Sequence, residues 1–158
     1  MSAKVYVALR VPADPAQAFE VFTQDIGLWW QPSALFAVTA DGDGALAFEA
    51  GAGGRLMTTL PGGRRYQIGR ILAWEPGRRL AFTWRPESFA AGQSTQVEVR
   101  FEAVGNETRV AVEHNAWDSI PSEHVSRHGF PDQATLKHVS AWWRTSLAAY
   151  HGRMRTMR

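Results

Sequence analysis

The chain opens on "KVYVALRV" at 4–11, where apolar residues alternate with polar or small ones. A two-residue period of this kind is the signature of a half-buried β-strand. In the next stretch, "PADPAQAFEVFTQ", Ala18, Phe19 and Phe22 recur at helical spacing. Asp14 is placed to cap that helix and Pro15 to open it, because a first helical turn does not use the N–H that proline lacks. From Leu35 to Trp117 the pattern becomes a meander of short strands. Turn signals separate them: "DGDG" at 41–44, "GAGG" at 51–54, "PGG" at 61–63, "EPG" at 75–77 and "VGNE" at 104–107. Tight turns join antiparallel neighbours, whereas parallel strands need long crossovers.

After Trp117 the period lengthens. "IPSEHVSRHG" predicts a turn or two of helix ending at Gly129, and the run from Phe130 to Arg155 predicts one long helix. Leu136, Val139, Trp143, Leu147, Tyr150 and Met154 recur along it at three- and four-residue steps, forming a single apolar stripe. A curved antiparallel sheet wrapped around this helix would cover the stripe, with Gly54 and Gly69 permitting the bend. The expectation is an α+β architecture in one domain over residues 1–158.

Strand parity sorts the residues able to carry chemistry. Val97, Val99 and Phe101 share a face, and Glu98, Arg100 and Glu102 oppose it. Val110, Val112 and His114 fall together, which turns His114 inward as a hydrogen-bonded core histidine, a polar anchor for a ligand or a weak acid/base candidate. Trp84 shares its face with Leu80 and Phe82. In "YQIGRILAW", Arg70 has the parity of Tyr66, Ile68, Leu72 and Trp74. An inward arginine must meet an anion, since an unpaired buried charge is very costly. A bulge at Gly69 would instead turn Arg70 outward.

Composition removes whole classes of function. The sequence has no cysteine, so disulfides, thiolate metal sites and cysteine nucleophiles are excluded. The formal net charge is +2 with a pI near 9.4. The arginine groups at 64–65, 78–79 and 153–158 fall at turns and on the last helix, so no nucleic-acid face is expected. The N-terminal stretch has no apolar run of signal or membrane-spanning length, and a soluble cytoplasmic protein is expected. His124 and His128 stand four apart with His138 further on, but "HExxH" is absent, and no metal site is expected. Nucleophile elbows, phosphate loops and dinucleotide fingerprints are also missing, and no cofactor is expected.

Five segments taken in order carry a family resemblance: "VPADPAQAFEVFTQDIGLWW", "FEAGAGGRLM" at 48–57, "GRILAWEPGRRLAFTWRP" at 69–86, "VEVRFEAVGNETRVAVEH" at 97–114 and "WWRTSLAAY" at 142–150. Together they resemble the START-like (SRPBCC) superfamily. Within it they are most similar to the bacterial branch related to the heat-shock-protein-90 ATPase activator C-terminal domain. The resemblance implies a helix-grip fold like that of the birch-pollen allergen, with a deep apolar cavity between sheet and C-terminal helix. The segment from Asp118 to Asp132 is longer and richer in histidine than the family's usual link.

On that reading the chain binds a small apolar or aromatic ligand. Trp29 or Trp30 would stand at the entrance, Arg70 and His114 would be polar anchors, and Phe48, Trp74, Trp84 and Trp143 would form the walls. The alternatives are a cyclase or aromatase acting on a polyketide-like substrate, with His114 as acid/base, and a module that stimulates a chaperone ATPase. No second domain to grip such a chaperone is expected. A homodimer is left open. Neighbours on a helix differ by about 100° in direction, so paired tryptophans do different jobs. The spacing favours Trp30 as the packed ring and Trp29 at the mouth. On the last helix the stripe makes Trp143 inward and Trp142 flanking.

Overall fold

The computed structural model describes residues 5–30, 39, 44–85, 95–115 and 132–156. Strand β1 (Val5–Val11) leads into helix α1 (Pro15–Gln24) and a single helical turn, α2 (Ile26–Trp29). The strands β2 (Ala45–Phe48), β3 (Arg55–Thr59), β4 (Arg65–Glu75), β5 (Arg79–Trp84), β6 (Thr95–Val104) and β7 (Glu107–Asn115) follow. Helix α3 (Asp132–Thr156) comes last. All seven strands form one antiparallel sheet in the order β1-β7-β6-β5-β4-β3-β2. The sheet curls as a half-barrel against α3, the α+β helix-grip architecture. The predicted start of the meander at Leu35 and the predicted helix at 120–129 lie outside the described residues.

Local chemistry accounts for the helices. The Asp14 carboxylate accepts the Gln17 N–H at 2.8 Å, and Pro15 occupies the first turn. A cap of this kind is worth about 1 kcal/mol. Asp25 leaves the helical region at the boundary between α1 and α2, but the Asp25 N–H donates to Val21, Trp29 to Asp25 and Trp30 to Ile26, so the second turn follows directly on the first. Phe22, Ile26 and Trp29 therefore stay on one stripe, and all three are buried.

The central strands alternate as parity predicts. Leu80, Phe82 and Trp84 on β5, Val97, Val99 and Phe101 on β6, and Val110, Val112 and His114 on β7 all point into the core. On α3, Val139, Trp143, Leu147, Tyr150 and Met154 are buried as the stripe requires. The side chain of Leu136 lies outside the described residues. Tyr150 also donates to the Ala18 carbonyl at 2.7 Å, fastening α3 to α1.

Strand β4 breaks the two-residue rule. Its register slips against β3 near Leu56 and Met57 and against β5 between Ile71 and Ala73. Ile68 and Ile71 are buried, and Trp74 packs on Phe19 and Phe48, so the inward positions advance by three. Arg70 and Leu72 are consequently exposed. Gly69 enables the bend, because a Cβ there would overlap the Thr83 carbonyl oxygen. The outer face is polar: Glu98 accepts from Arg79 at 2.8 Å and from Arg100 at 2.7 Å. Burial raises the Glu98 pKa, but these two arginines outweigh it and hold the carboxyl below its usual value. Among the described residues, no helix is long and apolar enough to cross a membrane.

Candidate ligand-binding site

At one end of the interior, four indoles and an imidazole converge from four elements, α2, β5, β7 and α3. Trp84 is the last residue of β5, His114 the last but one of β7, and Thr95 the first of β6. Cross-strand register sets Thr95 opposite Trp84 and Val97 opposite His114. Trp30 comes from the C-cap of α2, where the chain turns extended (φ −60, ψ 131) before Gln31 and Pro32. Trp142 and Trp143 come from α3. Segments 31–38, 86–94 and 116–131, outside the described residues, adjoin this group in sequence.

The rings form a continuous set of contacts. Trp30 lies 5.3 Å from Trp84, 5.4 Å from Trp142 and 5.6 Å from Trp143, centroid to centroid. Trp84 and Trp142 are 5.4 Å apart, and His114 stands 6.2 Å from Trp142 and 6.1 Å from Trp143. Tilted and edge-on pairs at such distances each add about 0.5–1.5 kcal/mol beyond area burial.

Hydrogen bonding fixes the state of His114, which is fully buried. The Trp143 indole N–H donates to its Nδ1 at 3.0 Å, and Thr95 Oγ1 lies 2.7 Å from its Nε2. An indole nitrogen can only donate, so Nδ1 must carry a lone pair and the ring proton sits on Nε2. That proton goes to Thr95, whose hydroxyl donates onward to the Trp84 carbonyl at 3.2 Å. Desolvation by burial pushes the imidazolium pKa down to about 3. His114 is therefore a neutral histidine with both ring nitrogens engaged. The cluster's own groups (four indoles, an imidazole and a hydroxyl) carry no charge. Among the described residues the Trp84 indole N–H has no hydrogen-bond partner, on a residue only 1% exposed.

The eight residues expected at the site divide into three groups. Trp30, Trp84, His114 and Trp143 come together here. Phe48 and Trp74 are half-buried in a second cluster with Phe19 and Phe82, towards β2 and β4. Trp29 and Arg70 require correction. Trp29 is a core residue at 1% exposure, donating to the Phe22 carbonyl at 3.3 Å and packing on Phe22 and Tyr150. Trp30, at 8%, is packed as expected, against Trp84, Trp142 and Trp143. The turn of α2 directly after α1 carries Trp29 onto Phe22, and the extended C-cap swings Trp30 away. Arg70 lies on the outer face in a depression with Gln67, Leu72, Thr83 and Arg85, turned out by the β4 bulges.

Two contributors escaped the sequence reading. Trp142 was expected at the flank but is buried against Trp30, Trp84 and His114. A one-residue-wide stripe had no room for it, whereas the cluster occupies a broader arc of α3. Thr95 has the inward parity of Val97 and Val99, and that was its available signal. His124 and His128 lie outside the described residues, and His138 is half-buried on α3.

Comparison with known proteins agrees with this architecture. MLL2253 from Mesorhizobium loti superposes with a TM-score of 0.68 at 16% identity, covering 98% of each chain. DynU16, described as a protein in the dynemicin biosynthetic locus, gives 0.66 at 18% identity, covering 99% of this chain and 48% of its own. CalU16 from Micromonospora echinospora gives 0.59 at 21% identity, covering 96% and 65% respectively. Such identities establish the shared START-like fold. No curated protein matches the sequence at significant similarity. A family model does match, over residues 12–150. On that match the chain belongs to the family described as Activator of Hsp90 ATPase homolog 1-like protein.

Proposed function

We propose that the protein binds a small, uncharged, largely aromatic molecule at the Trp30–Trp84–Trp142–Trp143 cluster. The observation that carries this reading is the convergence of four indoles and a neutral, hydrogen-bonded histidine at one end of the sheet. Small-molecule sites are lined by apolar and aromatic groups with a few placed polar atoms, and this cluster has that make-up. A titration with the neutral fluorophore N-phenyl-1-naphthylamine tests it. Saturable emission enhancement, tryptophan quenching and competitive displacement by uncharged aromatics are expected. Absence of saturable binding, together with no displacement across such a panel, would refute the reading.

The likeness to DynU16, from a biosynthetic locus, lends some support to a cyclase-type reaction on a similar ligand. His114 is poorly suited to the acid–base role in such a reaction. A general acid or base works best with a pKa near the operating pH. Protonating Nδ1 would also break the bond from Trp143. The family's name points to a chaperone partner, but a fold alone does not fix an activity.

A further inference from the structure

A ligand held only by stacked rings would have no preferred orientation, so the proposed site needs a polar contact. Arg70 cannot supply it from the outer face, and both His114 nitrogens are already taken. The Trp84 indole N–H remains. It is a donor only, it is buried, and it has no partner among the described residues. A buried donor left unsatisfied costs about 1–3 kcal/mol, and native structures rarely tolerate one without a water, ion or ligand to meet it. Its ring packs against Trp30 and Trp142, with centroids 5.3 and 5.4 Å away, so the donor stands among the rings of the proposed wall.

We propose that Trp84 Nε1 is the specificity-determining donor of the site, selecting an uncharged, flat apolar molecule that carries a hydrogen-bond acceptor such as a ketone or aldehyde oxygen. This inference rests on the interior being a ligand site. A carboxylate is disfavoured there because, among the described residues, the cluster offers no cation. Ser146 on α3 is also buried without a partner. Its hydroxyl both donates and accepts and can rotate towards the preceding helical turn, so it imposes no polarity on a ligand.

A matched probe set tests this: 2-acetylnaphthalene, its near-isostere 2-isopropylnaphthalene and 2-naphthoate, each measured by calorimetry on wild type and Trp84→Phe. The phenyl ring keeps an apolar wall and removes the donor. The acetyl-to-isopropyl affinity ratio is expected to fall about 10-fold in the variant, cancelling effects of ring size common to both probes. An unchanged ratio, with both probes still binding, overturns the donor role and leaves the ligand-site reading intact. If wild type binds neither naphthalene, both inferences fall. Binding of 2-naphthoate more tightly than 2-acetylnaphthalene overturns the preference for an uncharged ligand. Wild-type protein supplies an independent readout if the variant does not fold. Among the seven tryptophans, the Trp84 indole proton, assigned by through-space coupling to the Trp30 and Trp142 rings, should move downfield with the acetyl probe alone. An identical response to both naphthalenes overturns the proposal.

Discussion

The state of His114 makes a quantitative claim about acid stability. In the folded chain its pKa lies at about 3, against 6.5 for an ordinary histidine, because burial disfavours the imidazolium. Between those values the unfolded chain holds a proton on this residue that the folded chain does not. Its contribution to stability is therefore fully present above pH 6.5 and is lost as the pH falls towards 3. With about 1.4 kcal/mol per pH unit below the unfolded pKa, acidifying from pH 7 to pH 5 costs about 2 kcal/mol through this one group.

The comparison protein is His114→Phe, which keeps a ring but cannot titrate. At pH 7 it should be less stable than wild type by about 1–3 kcal/mol, because the Trp143 N–H loses its acceptor. Urea unfolding at pH 7 and pH 5, followed by tryptophan emission and far-UV circular dichroism, gives both stabilities. Wild type should lose about 2 kcal/mol more than the variant over that interval, so the two curves converge at acid pH. Equal losses in the two proteins would refute the buried neutral histidine and reopen an acid–base role. The same experiment bears on the Nε2–H tautomer, since only a lone pair on Nδ1 makes Trp143 depend on this ring.

Two further outcomes follow from packing. Trp29→Ala should lose about 3–5 kcal/mol of stability, read by chemical unfolding, since a fully buried ring and its bond to Phe22 both go. Trp30→Ala should instead weaken N-phenyl-1-naphthylamine binding by more than Trp29→Phe does, and equal losses in these two variants would contradict the assigned facing. Gly69→Ala should destabilise by about 1–3 kcal/mol or prevent folding, because its Cβ overlaps a backbone oxygen that cannot rotate away. A thermal midpoint equal to wild type would show that β4 does not pass β5 at that separation.

What the sequence could and could not reveal follows from how far each signal reaches. Regular elements were legible because their periods are local. The alternation in β5 to β7 placed Trp84 and His114 inward, and the stripe on α3 placed Trp143 and Tyr150. Trp29 was misassigned because its facing depends on a single question, how the chain passes the boundary at Asp25. Three backbone hydrogen bonds decide that, and no residue type announces them.

Arg70 was ambiguous for a related reason. Gly69 signals that a bulge is affordable, but the slips that turn Arg70 outward are set by where β3 and β5 meet β4. With the arginine outside and His114 satisfied internally, neither polar anchor expected from residue type is available to the proposed site. What remains is an indole N–H, on a residue whose identity alone reads as an apolar wall. Parity turned the Trp84 side chain inward, and its hydrogen-bonding state became legible only in the structure.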